Sequence, residues 1–157
     1  MKTIQLIAMA LIAMIGMTAC SNDDENFHEW TYTGNNTVTV DKEYDPVVIT
    51  CKVTQKENGT LDVEMPEYQL NGTTIGDLTI GAVTIKDIAY NAERGAYYRV
   101  YGKDGLTMQF RGKPSSFTED SNIEVKLYDN GVTIVNDYSF GKMPFRVVSK
   151  FEVAISE

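Results

Sequence analysis

Apolar and polar residues alternate one for one along much of the chain. Val47, Ile49, Cys51 and Val53 alternate with Val48, Thr50, Lys52 and Thr54, and Leu61, Val63 and Met65 with Asp62 and Glu64. Leu106, Met108 and Phe110 alternate with Thr107, Gln109 and Arg111, and Ile123, Val125 and Leu127 with Glu124, Lys126 and Tyr128. The closing run sets Val147, Phe151, Val153 and Ile155 against Arg146, Lys150, Glu152 and Ser156. A period of two puts one set on a core face and the other in water, so each run predicts a half-buried strand. No stripe of period 3.6 follows residue 19.

The punctuation between the runs is that of hairpins. Asn58-Gly59 joins the strand ending near Gln55 to the one beginning at Thr60, and Asn130-Gly131 joins Leu127 to Val132. Such pairs accept positive φ at the turn. Gly102-Lys103-Asp104-Gly105 links the run 97–101 to the run 106–110. Turn signals every ten or so residues predict a sequential antiparallel meander, with eight to ten strands between Trp30 and Ser156. A meander of that size folds as a sandwich or closes on itself, because closure removes its exposed edges. The expectation is an all-β chain of about eight strands closed as a β-barrel. Composition agrees: from Cys20 onward there are 36 Val, Ile and Thr against 10 Leu and Ala. β-Branched residues suit a pleated surface better than a helix.

The first 19 residues follow a different pattern. Lys2 precedes a stretch, residues 4–17, that is apolar except at Gln5 and Gly16, with the charged start and short hydrophobic body of a secretory signal. It ends in Met17-Thr18-Ala19-Cys20, which resembles the lipobox of bacterial lipoproteins. That resemblance implies cleavage before Cys20 and acylation of its thiol, which anchors a protein to a membrane without a spanning helix. The next residues, Ser21-Asn22-Asp23-Asp24-Glu25-Asn26, are too polar to pack and read as a tether. Ser21, Asp23, Asp24 and Glu25 resemble the export signal of Bacteroidota surface lipoproteins, which implies display on the outer membrane. The expected organisation is therefore a signal peptide at 1–19, a lipidated tether at 20–28 and one domain at 29–157.

The central segment carries a second resemblance. Tyr68-Gln69-Leu70-Asn71-Gly72 is followed by Ile75-Gly76-Asp77-Leu78-Thr79-Ile80-Gly81-Ala82-Val83-Thr84-Ile85. An aromatic-x-Leu pair ahead of Ile-Gly-Asp-x-x-Ile resembles the calycin-like, lipocalin-like β-barrel domains of Bacteroidota surface lipoproteins. Tyr32-Thr33-Gly34 and Met143-Pro144 match further landmarks, so the likeness spans nearly the whole domain. It implies an eight-stranded barrel and no particular activity. The chain departs from true lipocalins, since His28-Glu29 precedes Trp30 where they carry Gly-x-Trp, and no stapling disulfide is available. Their carriage of hydrophobic ligands is therefore not implied.

Charge and chemistry narrow the function by exclusion. With 14 basic and 22 acidic residues, and Lys2 lost with the leader, the remaining chain carries a net −9. That charge disfavours nucleic acid as a partner. With Cys20 lipidated, Cys51 is the one remaining thiol, and its run places it on an apolar face. The single histidine, His28, lies at the tether's end, away from any nucleophile it would have to activate. Asp41, Glu43 and Asp45 lack the glycine and terminal glutamate of a calcium loop. Asp62, Glu64, Glu67 and Asp77 offer no spacing that selects a glycosidase pair. No phosphate loop, nucleophile elbow or dinucleotide fingerprint occurs. The chain reads as non-catalytic, with no cofactor and no metal site.

The distinctive feature is aromatic. Tyr90, Tyr97, Tyr98 and Tyr101 flank the segment 91–95, with Tyr97 and Tyr101 on one strand face and Tyr98 on the other. They are either plates for a small molecule or glycan or cross-strand packing partners. The expected function is a surface-anchored binding module for a small molecule or glycan, the alternative being an accessory lipoprotein that binds another envelope protein. Large inward side chains predict a mostly filled barrel, with any pocket at one end near Tyr97, Tyr98 and Tyr101.

Overall fold

The computed structural model describes residues 28–73, 76–110, 113–140 and 146–153. The leader, Cys20 and the acidic tether lie outside the described residues. Each alternating run contains a strand, although the last one stops at Glu152 and residues 154–156 of the closing run lie outside the described residues, and strands form in more segments besides. The strands are β1 (His28–Thr39), β2 (Val47–Gln55), β3 (Leu61–Met65), β4 (Tyr68–Thr73), β5 (Gly76–Ile80), β6 (Val83–Asn91), β7 (Ala96–Val100), β8 (Thr107–Phe110), β9 (Lys113–Ser116), β10 (Asn122–Tyr128), β11 (Gly131–Tyr138) and β12 (Val147–Glu152).

Eight of them close an antiparallel barrel in the order β10-β11-β12-β1-β2-β3-β6-β7, with β7 pairing back onto β10. The expected barrel is present, but the chain is not one continuous meander. Strands β4, β5, β8 and β9 form a separate sheet in the order β9-β8-β5-β4. Its two hairpins leave the barrel between β3 and β6 and between β7 and β10, at the same end of the cylinder. The buried face of this sheet, with Tyr68, Leu70, Leu78, Ile80 and Met108, packs on that end. We call it the capping sheet and the two barrel ends the capped end and the far end.

Three sequence expectations change here. The Gly102–Asp104 segment is a 3-10 turn that carries the chain from β7 in the barrel to β8 in the capping sheet, and does not close a hairpin. Gly102 is required there because a Cβ would run into the backbone of Thr118 and Glu119. The β10–β11 reversal is made by Asp129-Asn130, since Tyr128 pairs directly with Gly131, and none of these four residues has positive φ. At the β2–β3 turn the expectation holds, with Gly59 at φ 90° and Asn58 Oδ1 accepting from the Thr60 amide at 3.1 Å. Met108 and Phe110, whose large side chains count among the inward set expected to fill the barrel, belong instead to the capping sheet; Phe110 packs on Phe140 with ring centroids 5.1 Å apart.

The lumen is filled. Cys51, Val53, Leu61, Val63, Ile85, Ile88, Ile123, Val125, Val132, Ile134 and Phe151 are all fully buried. Outward positions such as Thr33, Thr50, Lys52, Glu64, Glu124 and Lys150 give the wall a polar surface of the kind that faces water and not lipid chains. Among the described residues no helix is long and apolar enough to cross a membrane.

Candidate functional site

The far end of the barrel gathers aromatic side chains because of one irregularity. Strand β6 pairs with β3 through Val63↔Ile85 and Leu61↔Ile88, so β6 carries one extra residue between the two pairs. Asp87 absorbs it with φ 61°, the one positive φ of a non-glycine residue among the described residues. The Asp62 carboxylate accepts the Asp87 amide at 3.0 Å, and the Lys56 ammonium pairs with both Asp62 and Asp87. This bulge reverses the facing of β6, so that Ile88 and Tyr90 point inward where regular alternation would have turned them out.

Tyr90 meets Tyr97, its cross-strand partner on β7, through the register of the β6–β7 hairpin. The rings sit edge to face, with centroids 5.2 Å apart and planes at 77°. Gln55, at the end of β2, donates from Nε2 to the Tyr97 hydroxyl at 3.2 Å. Burial pushes the Tyr97 phenol above its ordinary pKa and the neighbouring Tyr90 adds to this, while the Gln55 bond opposes it. Tyr90 itself is 59% exposed, so this pair presents an aromatic face to solvent. Strand β1 brings His28 opposite Gln55 and Trp30 opposite Val53, on the same inner face. Their rings lie 6.0 Å apart, and Trp30 packs on the core.

The other two tyrosines go elsewhere. Tyr98 stands opposite Glu124 on the outer wall, and the Arg94 guanidinium lies 3.7 Å above its ring while bonding Glu124 at 3.3 Å. One face of Tyr98 is thus already covered by a cation. Tyr101 shares the inner face with Tyr97, as alternation required, but lies fully buried at the capped end. Its hydroxyl donates to Asn136 Oδ1 at 2.6 Å, and its ring packs edge-on against Phe117. The structure thus brings Tyr90 and Tyr97 together and separates Tyr98 and Tyr101 from them. Trp30 and Gln55 complete the far-end cluster. Neither was singled out from the sequence, although a strand continued back from Tyr32 would have put Trp30 on the same face.

The remaining candidates occupy structural positions. Asp41, Glu43 and Asp45 are exposed before β2, with Asp41 accepting from the Tyr44 hydroxyl at 2.6 Å. Among the described residues no group of three or more possible ligands is arranged around a metal site. Glu64 pairs with Lys52 at 3.6 Å, and Asp77 accepts the Gly72 amide at 2.8 Å. Cys51 is wholly buried, and burial pushes its thiol from 9.0 up to about 12, so it carries little nucleophilic thiolate at neutral pH. His28 opens β1.

No curated protein and no solved structure matches the chain. A family model does, the calycin-like beta-barrel domain, over residues 29–153. That span includes all eight barrel strands but for His28, together with the capping sheet, and a barrel of this kind suggests a binding module. The chain belongs to the calycin-like beta-barrel domain family.

Proposed function

We propose that the protein is a non-catalytic binding module, held by a lipid on Cys20 at the outer membrane and displayed at the cell surface. Its barrel would engage a small uncharged molecule or glycan at the far end. The observation that carries this reading is the exposed Tyr90 set edge-on against Tyr97, with Gln55 supplying a polar group beside it. Aromatic faces flanked by amide groups suit the apolar faces and hydroxyls of a sugar ring. The acidic net charge favours an uncharged ligand over an anion. The filled lumen leaves an end of the barrel as the place for a ligand.

Calorimetric titration of the purified chain with a panel of neutral oligosaccharides tests the site. At least one is expected to bind, and Tyr90→Ala/Tyr97→Ala is expected to abolish that binding while the chain stays folded. Binding that survives the double substitution would move the site away from the far end. The anchor is tested by the intact mass of membrane-extracted protein, which should equal the chain from Cys20 plus acyl groups. A product that retains Met1 would contradict it.

The alternative, an accessory lipoprotein that docks on another envelope protein, draws on the capping sheet, whose outer strands β4 and β9 have neighbours on one side within their sheet. Edges of this kind are used for strand addition, although Lys113 and Pro114 make β9 a poor one. A partner contact that tolerates the far-end double substitution would favour that reading.

A further inference from the structure

The capped end of the barrel is polar where the rest of the lumen is apolar. Asn36 from β1, Ser149 from β12 and Asn136 and Tyr138 from β11 all turn inward there and are buried. Ser149 Oγ donates to Asn36 Oδ1 at 2.6 Å. Tyr68 enters from the capping sheet and places its hydroxyl among Ser149, Asn36 and Tyr138.

Two atoms of this cluster remain unsatisfied. Asn36 Nδ2 and the Tyr138 hydroxyl are fully buried and have no hydrogen-bond partner of proper geometry. An orphaned buried polar group costs about 1–3 kcal/mol, so two in one cluster point to a third participant. A cavity of about 10 Å³ lies beside the Tyr138 hydroxyl, lined among others by Tyr68, Asn136, Tyr138 and Ser149. This is about the volume at which a site admits one water molecule, and such a water needs two to four polar partners.

We propose that the capped end is a binding site for one internal water molecule. The water bonds the Tyr138 hydroxyl, draws its remaining bonds from the Asn36–Ser149–Tyr68 cluster, and so ties the capping sheet to the barrel wall. No acid or base lines the cavity, and burial holds the Tyr138 phenol in its neutral form, so the occupant is uncharged. The capping sheet is then held over the lumen by a polar bridge as well as by its apolar face.

A high-resolution crystal structure of the wild-type chain and the thermal midpoint of Tyr138→Phe together test this. The wild type should show an ordered water within hydrogen-bond distance of the Tyr138 hydroxyl. Tyr138→Phe should lose that water and lower the midpoint by about 3–5 °C, because the water forfeits a partner. Without a bridging water, Tyr138→Phe merely removes an unsatisfied buried hydroxyl, and the midpoint should stay level or rise. A wild-type density map with no water at Tyr138, or with a larger molecule there, overturns the proposal, as does a midpoint that does not fall. The wild-type map decides the question even if the variant does not fold.

Discussion

The two ends of the barrel hold similar residues to opposite effect. Each carries tyrosines on its inner face, with an amide side chain bonded to a phenol. At the capped end Tyr101 and Tyr138 are fully buried, boxed in by Phe117 and Phe140. At the far end Tyr90 is more than half exposed, and Tyr97 is only partly covered. The cause is the chain outside the barrel strands. Four strands diverted into the capping sheet close one end, whereas the bulge at Asp87 aims an aromatic residue out of the other. Aromatic content alone therefore does not mark a site; what covers the ring decides whether it stabilises the fold or meets a ligand.

The largest difference between the regions should appear in stability. Phe151→Ala opens a cavity in the filled lumen and should cost about 3–5 kcal/mol. Tyr90→Ala, removing a ring mostly in water, should cost less than about 1 kcal/mol. Denaturant midpoints read both. Equal costs would mean that the far end is as tightly packed as the lumen.

A finer version removes only hydroxyls. Tyr101→Phe strands Asn136 Oδ1 in the core and should cost about 1–3 kcal/mol. Tyr97→Phe frees Gln55, which water can satisfy, and should cost about 0.5 kcal/mol. The same denaturation series supplies these values, and a reversed order would place the buried end wrongly.

The bulge offers a substitution that couples stability to the site. Asp87→Val puts a β-branched side chain at positive φ and breaks the pair with Lys56, at a cost of about 1–3 kcal/mol. If the bulge is what aims Tyr90 inward, this variant should also weaken any ligand held by Tyr90 and Tyr97. Unchanged affinity would show that Tyr90 needs no bulge.

Alkaline pH acts on the interior groups. Burial raises Cys51 from 9.0 and Tyr32 from 10.0, each to about 12, and raises Tyr101 and Tyr138 as well. The unfolded chain therefore releases these protons at lower pH than the folded one, so it binds fewer protons in that range and stability falls with rising pH. The midpoint should be insensitive to these groups below about pH 9 and fall progressively as pH rises towards 12. A rise in that window would contradict the assigned burial. The smallest effect is kinetic: Cys51 should resist thiol reagents at neutral pH in the native chain and react once it is unfolded. Rapid native labelling would mean that β2 faces the other way.

How far the sequence could be read follows from which interactions are local. Alternation in 47–53, 61–65 and 123–127 is a property of neighbouring residues, and those strands formed with the faces it required. The capping sheet was not legible, because Leu106, Met108 and Phe110 alternate equally well whether they line a lumen or cover its end. Strand β9 was missed because Lys113-Pro114-Ser115-Ser116 carries little strand signal of its own and forms by pairing with β8. For the tyrosines, the relative facing of Tyr97, Tyr98 and Tyr101 could be derived. The inward facing of Tyr90 relative to Ile85 could not, because it depends on a bulge held by Lys56 and Asp62 from a distant hairpin.

The central claim is that the lumen is filled, so that a ligand can meet the barrel only at its end. Titration with a fluorescent fatty-acid analogue tests this directly, because a long acyl chain needs a cavity running along the axis. Phe151 is the residue to substitute, since it is fully buried in the lumen. The account predicts no saturable binding to the wild-type chain. Saturable binding at micromolar affinity or better, lost when Phe151 is replaced by a charged residue, would show that the barrel is hollow and contradict it.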